Sequence, residues 1–132
     1  MDQKIKKFFE SKAFAVLGAS SRRHKYGNKV LRCYLQNDLR VYPINPMEDQ
    51  IEGLPVLRKI ADLPTEVMSI SIITPPSVTE KLVEEAITQG IRNIWMQPGA
   101  ESPAAIANCE KNGINVIAGG PCILVALGFK DE

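Results

Sequence analysis

A run of basic residues between two glycines is the part of this sequence most able to do chemistry. The run is Arg22, Arg23, His24 and Lys25, and it lies between Gly18 and Gly27. An apolar run precedes this segment and a helical pattern follows it. Backbone N–H groups at such a helix start bind phosphate oxygens, as do arginine and lysine side chains. We therefore predict a phosphate site here, the alternatives being a solvated basic surface and a purely structural glycine turn.

The residue after the second apolar run narrows the choice of ligand. A dinucleotide enzyme of the NAD type uses an Asp or Glu at this point to hold the ribose hydroxyls. Asn45 stands there instead, and the nearest acids, Glu48 and Asp49, lie beyond Pro46 in an irregular segment. A nucleotide with an additional ribose phosphate remains compatible with the basic run. That description covers both NADP and coenzyme A.

No catalytic constellation is recognisable. The single histidine, His24, has no carboxylate or nucleophile partner readable nearby, so we interpret it as a phosphate contact or a surface residue. Cys122 follows a turn at the predicted ligand edge and is the best nucleophile candidate. Cys33 and Cys109 fall at apolar helix positions, and a buried thiol is the commoner role for all three cysteines. The spacing contains no CxxC pair and indicates neither a zinc site nor a disulfide framework.

The elements that position these residues follow a strand and helix rhythm. Short continuous apolar runs of this kind are typical of parallel strands buried on both faces. We predict an α/β fold with a doubly wound, mainly parallel five-stranded sheet and helices on both faces. The predicted strands are Ala13 to Leu17, Arg40 to Ile44, Val67 to Ile73, Ile91 to Met96, and Asn115 to Ala118.

Helix start and stop signals separate the strands. Ser77 and Glu80 have capping-box spacing, and Gly90 is the expected stop of that helix. Ser102 with Pro103 predicts the start of the last helix and Gly113 its end. A helix over Tyr26 to Asn37 is expected to bury Val30, Leu31, Tyr34 and Leu35, and a leading helix over Met1 to Ser11 to bury Ile5, Phe8 and Phe9. Within the irregular segment Pro46 to Pro64 we expect an edge strand near Pro55 to Leu57 and half a helical turn near Arg58 to Ala61.

Composition limits the remaining possibilities. The 132 residues suit one domain, and a formal net charge of +1 argues against a protein that coats nucleic acid. No apolar run approaches the roughly 20 residues needed to cross a bilayer, and the N-terminus has no apolar signal core. We expect a single-domain protein of the cytoplasm, without nucleic-acid or membrane partners.

Several short motifs follow one another in a recognisable order and spacing. They are Val16 to Ser20, Lys25 to Asn28, Tyr42 to Pro46, Gly53 and Leu54, Asp62 to Pro64, Pro75 and Pro76, and Ile94 to Ala100. In these motifs the sequence resembles stand-alone members of the CoA-binding protein family, which are Rossmann-like domains related to the N-terminal domain of the succinyl-CoA synthetase alpha subunit. The last turn departs from the family, because it reads Gly119, Gly120, Pro121, Cys122 where an Asp-Arg-Cys-Pro type segment is common.

The resemblance implies a ligand, coenzyme A or an acyl-CoA, and a set of contacts. Its diphosphate would lie on Gly18, Ala19, Ser20, Tyr26 and Gly27, with Lys25 and Arg22 pairing the phosphates. Asn45 and Pro46 would flank the adenosine, Thr74, Pro75 and Pro76 would form the other wall, and Gln97 would lie near the pantetheine.

The expected function is a non-catalytic binding module for a small-molecule nucleotide cofactor. An NAD(P)-linked redox or accessory protein on the same fold is the first alternative. A protein–protein adaptor that keeps the fold without a ligand is the second.

Overall fold

Five parallel strands form the central sheet of the computed structural model, which describes residues 2–131. The strands lie in the spatial order β2-β1-β5-β6-β7, and every neighbouring pair is parallel. Their bounds are β1 Ala13–Leu17, β2 Val41–Ile44, β5 Val67–Ile72, β6 Asn93–Met96 and β7 Asn115–Ile117, while β3 Gln50–Ile51 and β4 Leu54–Pro55 form a separate hairpin. The predicted fold class and all five predicted strands are confirmed, with ends that differ by up to two residues.

Helices cover both faces of the sheet, as expected for a doubly wound fold. Helices α1 Gln3–Phe8, α2 Tyr26–Gln36 and α5 Ile123–Ala126 pack on one face, and α3 Pro76–Gln89 and α4 Pro103–Lys111 on the other. Alternate side chains of β1 point to opposite faces of the sheet. Phe14 and Val16 pack in the core beneath α1, α2 and α5, while Ala15 and Leu17 pack in the core beneath α3 and α4. Burial of each large apolar side chain contributes about 1.5–3 kcal/mol to the stability of the fold, so packing on both faces stabilises the sheet.

The starts of two helices separate a correct capping prediction from a wrong one. Ser102 caps α4, where its side chain accepts from the Ala105 N–H at 3.3 Å. The capping box at Ser77 and Glu80 is wrong, because α3 begins one residue earlier at Pro76. The fixed φ of proline suits the first helical position, so Ser77 lies inside the helix. Glu80 accepts instead from the Ser102 hydroxyl and ties α3 to α4.

The other helix predictions hold with local corrections. Gly90 ends α3 in the left-handed conformation, with φ of 89°. Helix α2 buries Val30, Leu31 and Tyr34, but Leu35 is 36% exposed, because it lies on the outer side of the last helical turn. Phe9 follows α1 and is only half-buried, whereas Ile5 and Phe8 are buried. Met1 of the predicted leading helix lies outside the described residues.

The segment between β2 and β5 contains more structure than expected. The predicted edge strand near Pro55 to Leu57 is confirmed in part, because Pro55 belongs to β4 of the hairpin and Leu57 forms a single parallel bridge with Ile44 at the edge of the main sheet. A 3-10 turn at Ile60–Asp62 stands close to the expected half-turn. Helix α5 was not predicted, and it closes the end of β7. No helix within residues 2–131 combines the length and apolar character needed to cross a bilayer.

Candidate functional site

Two glycines bring the β1 turn, β5 and the start of α2 into close contact. Gly18 has φ of +99°, and a Cβ added to it would lie 2.0 Å from the Ile73 carbonyl oxygen. A Cβ at Gly27 would lie 2.0 Å from the Gly18 carbonyl oxygen. Only glycine fits at either position, since real Cβ atoms do not approach backbone atoms so closely. The close approach places the first turn of α2 against the carboxyl edge of the sheet.

A cleft of about 660 Å³ opens at this edge, above the ends of β1 and β2. Its volume is within the range of small-molecule sites. Most of the site residues predicted from the sequence line it. These are Gly18, Ala19, Ser20, Arg22, Lys25, Tyr26, Gly27 and Asn45, joined by Met47, Glu48 and Ile73.

The cleft is rich in hydrogen-bond donors. Within residues 2–131, the backbone N–H groups of Tyr26 and Gly27 form no hydrogen bond, as is usual in the first turn of a helix. Lys25 is exposed beside them, and none of the ion pairs in this part of the chain involves it. The helix dipole adds partial positive charge at the same point. The arrangement suits an anion.

The basic run does not act as one cluster. Arg22 and Lys25 line the cleft, whereas Arg23 forms an ion pair with Glu52 at 3.0 Å and His24 is exposed outside the lining. A buried arginine, Arg32, supports the run from below, because its guanidinium donates to the Arg23 carbonyl at 2.9 Å. Two of the four basic side chains are therefore available to a ligand in the cleft.

Asn45 organises the β2 side of the cleft. Its amide nitrogen donates to the Ala19 carbonyl at 2.8 Å, and its amide oxygen accepts from the Met47 N–H at 2.7 Å. The second bond forms an Asx turn that reverses the chain after β2. Pro46, predicted beside Asn45 as a site residue, is exposed and does not line the cleft, and its carbonyl accepts from Arg58 at 2.8 Å.

The reversed chain brings Glu48 into the cleft, although Glu48 is not among the site residues predicted from the sequence. Its carboxylate accepts from the Ser21 N–H at 3.0 Å. Hydrogen bonds from the Ser21 side chain and backbone lower the pKa of Glu48, and the nearby charge of Arg22 lowers it further. The Asn45–Pro46 turn was the signal that could have placed this acid at the site.

A smaller groove of about 300 Å³ continues from the cleft toward β6. It contains two predicted residues, Thr74 and Pro75, and shares Tyr26 and Ile73 with the main cleft. Pro76, also predicted, begins α3 and is outside the groove lining. The remaining lining residues are Pro98, Gly99 and Ala100.

Gln97 lies behind Tyr26 and is fully buried. Its amide oxygen accepts from the Tyr26 hydroxyl at 3.1 Å and from the Ile123 N–H at 3.0 Å, while its amide nitrogen has no partner within residues 2–131. The Tyr26 hydroxyl also contacts the Cys122 sulfur. Burial and the bond to Cys122 raise the pKa of Tyr26, so its hydroxyl stays protonated. Gln97 thus connects the cleft wall to α5.

A known protein family matches most of the chain. The model of a family described as a CoA binding domain matches residues 12–128. The chain belongs to the CoA-binding domain family. This finding confirms the resemblance noted in the sequence and supports a CoA-related binding module.

Relatives of this CoA-binding domain include a protein of similar chain length and segments of longer enzymes. A conserved hypothetical protein from Pyrococcus furiosus is 38% identical, with a TM-score of 0.83 over 87% of this chain and 98% of that one. The ADP-forming acetate–CoA ligase of Methanocaldococcus jannaschii is 28% identical over 69% of this chain but only 13% of its own length. The dinucleotide-forming acetyl-coenzyme A synthetase 1 of Ca. Korarchaeum cryptofilum, solved with phosphate and ADP, is 26% identical with a TM-score of 0.72, over 81% of this chain and 25% of that one. The chain therefore spans a small fraction of the enzymes that it matches.

The thiols of this CoA-binding domain differ in accessibility. Cys33 and Cys109 are buried, and burial raises the pKa of each to about 11. Cys122 is half-buried beside Tyr26 and does not line the cleft. Within residues 2–131, no group of three or more His, Cys, Asp and Glu side chains is arranged to hold a metal ion.

Proposed function

We propose that the protein binds coenzyme A or an acyl-CoA across the carboxyl edge of its sheet and acts as a non-catalytic binding module. The observation that carries the proposal is the pair of N–H groups at Tyr26 and Gly27 that form no hydrogen bond in the described part of the chain, in a cleft lined by Lys25 and Arg22. These donors suit a diphosphate, because a helix N-terminus and two flexible cations act on the same oxygens. Membership of the CoA-binding domain family supports the choice of ligand.

The positions of the strands suggest how the cofactor lies. The diphosphate sits on Gly18 to Ser20 and the start of α2, and the adenosine extends toward β2, where Asn45 and Pro46 flank it. The pantetheine runs the other way, along the groove at Tyr26, Thr74 and Pro75 toward β6. Pro76 supports that wall by starting α3, and Gln97 supports it through the Tyr26 hydroxyl. Ligands of open α/β sheets lie along this edge in the same way.

One observation favours a second candidate. Glu48 puts a carboxylate near the end of β2, which is the place where NAD-binding folds use an acid to hold ribose hydroxyls. An NAD(P)-linked accessory protein is therefore the competing hypothesis. We propose the cytoplasm as the compartment, since all three cysteines are unpaired and thiols stay reduced there.

Isothermal titration calorimetry with coenzyme A, acetyl-CoA, NAD, NADP and ATP tests the proposal, with thermal unfolding as a second readout. We expect saturable binding of coenzyme A or acetyl-CoA and a melting temperature that rises with their concentration. Preferential binding of NAD or NADP would support the competing candidate instead. Absence of binding by every compound would refute a nucleotide function and leave an adaptor role.

A further inference from the structure

Glu48 is an unexpected component of a cleft that otherwise suits anions. Among the described residues that line the cleft it is the only acid. Its carboxylate accepts from the Ser21 N–H at 3.0 Å and lies 3.5 Å from the Asn45 amide nitrogen. The carboxylate is thus held by two neighbouring donors on the β1 and β2 sides of the cleft.

The charges around Glu48 leave its negative charge only partly compensated. Arg22 is close enough to lower the pKa of Glu48 but forms no ion pair with it among the described residues. The other acids of the region have partners elsewhere, since Asp49 pairs with Arg58 and Glu52 with Arg23. A ligand group that enters the β2 side of the cleft therefore meets a carboxylate.

The ribose is the part of a nucleotide expected at this position. If the diphosphate lies on the start of α2, the adenosine extends toward Asn45 and Glu48 at the end of β2. A carboxylate accepts hydrogen bonds from free ribose hydroxyls, but it repels a phosphate attached to the same ring. The same side chain therefore has opposite effects on two classes of nucleotide.

We infer that Glu48 is a specificity-determining residue, which lowers the affinity of the cleft for a nucleotide with a ribose phosphate relative to one with free ribose hydroxyls. The inference rests on the proposed function and deepens it. Coenzyme A and dephospho-coenzyme A are the matched pair of probes, because they differ only in the 3′-phosphate on the ribose.

The experiment measures the dissociation constants of both probes for the wild type and for Glu48→Gln by calorimetry. The substitution removes the charge and keeps the size of the side chain. We expect the affinity for coenzyme A to rise relative to dephospho-coenzyme A by roughly threefold to tenfold, as for one exposed charge pair. The change should shrink at 1 M salt, where the Debye length is about 3 Å.

Two further variants separate charge from structure. Glu48→Asp keeps the charge and should keep the wild-type ratio of affinities. Asp49→Asn removes the same charge one residue away, from a side chain that pairs with Arg58 and does not line the cleft, and should also leave the ratio unchanged. Thermal unfolding of each variant shows whether the fold is intact.

The outcomes distinguish this inference from the function on which it rests. If the wild type binds both probes and Glu48→Gln leaves the ratio unchanged, or shifts it toward dephospho-coenzyme A, the role of Glu48 is refuted while CoA binding stands. A ratio that shifts equally in Glu48→Asp also refutes it, because the charge is then irrelevant. If the wild type binds neither probe, the proposed function fails and this inference fails with it.

Discussion

At the β1 and β2 end of the carboxyl edge, the backbone N–H groups of Tyr26 and Gly27 lack partners within residues 2–131, and Lys25 has no ion-pair partner there. At the β6 and β7 end, by contrast, polar groups bond to one another, except for the buried Gln97 amide nitrogen, which has no partner within residues 2–131. Gln97 accepts from Ile123, and the Trp95 indole N–H donates to the Pro121 carbonyl at 3.0 Å. Both ends are built from glycine, proline and amide residues. The two ends differ in how many of their polar groups already form hydrogen bonds within the protein.

Tyr26 belongs to both ends. The residue lines the open cleft and its backbone N–H has no partner within residues 2–131, while its hydroxyl joins Gln97 and Cys122 at the closed end. Residue types after a strand therefore do not by themselves distinguish a binding site from a structural turn. What distinguishes them is the helix that follows: the first N–H groups of α2 have no partner among residues 2–131, whereas the first N–H of α5, that of Ile123, donates to Gln97.

The largest expected effect comes from the backbone of the open end. Gly18→Ala should lower the free energy of unfolding by about 3 kcal/mol, because the added Cβ would meet the Ile73 carbonyl at 2.0 Å. Gly53→Ala is the control, since Gly53 also has positive φ but has open space where a Cβ would lie. This substitution should lower the free energy of unfolding by only about 1 kcal/mol. Urea denaturation measures both. Equal losses would show that the close approach at β1 is not what constrains the turn.

The closed end should be sensitive to loss of an internal acceptor. Gln97→Leu leaves the Ile123 N–H without its acceptor and removes one of the two partners of the Tyr26 hydroxyl, and should lower the free energy of unfolding by about 1–3 kcal/mol. Gln89→Leu, the same change at an exposed position of α3, should stay within about 0.5 kcal/mol of the wild type. An unchanged unfolding midpoint for Gln97→Leu would contradict the structural role assigned to Gln97.

The open end should respond in affinity rather than stability. Lys25→Ala should weaken coenzyme A binding by about tenfold, which corresponds to about 1.4 kcal/mol, and should flatten its salt dependence. The melting temperature should change little, because Lys25 is exposed. Lys111→Ala, at the end of α4 and beside the opposite edge of the sheet, should leave the affinity unchanged. Calorimetry over a salt series separates the two variants, and equal affinities for both would refute the phosphate contact.

The regular strands and helices could be predicted from the sequence because the residue patterns that indicate them are local. Strand β1, Ala13 to Leu17, is buried on both faces, and its uninterrupted apolar residues are what predict this burial. Much of the cleft lining could be predicted for a related reason, since Gly18, Gly27 and Lys25 lie within one short segment of the sequence. Local signals also competed at α3, where Pro76 in the first helical position overrode the capping box at Ser77.

The parts that were missed depend on contacts between distant residues. Glu48 reaches the cleft only because the chain reverses at Asn45 and meets Ser21, which is 27 positions earlier. The short helix α5 has only four residues and follows Gly119, Gly120 and Pro121, so its pattern is that of a loop. Because α5 was not predicted, neither was the bond between Ile123 and Gln97 that helps to close this end of the sheet. Local propensity and hydrophobic periodicity do not predict such contacts between residues that are far apart in the sequence.

The smallest expected effect concerns the thiol of Cys122 at the closed end. At pH 8 Cys33 and Cys109 should stay protonated, because burial raises the pKa of each to about 11, so iodoacetamide should modify the native chain only at half-buried Cys122. Denatured chains should be modified at all three cysteines, which intact-mass spectrometry and peptide mapping would show. Cys122 does not line the cleft, so labelling should proceed with or without coenzyme A. Complete protection by coenzyme A would mean that the ligand extends over the β7 end, and the separation between an open and a closed end would then have to be abandoned.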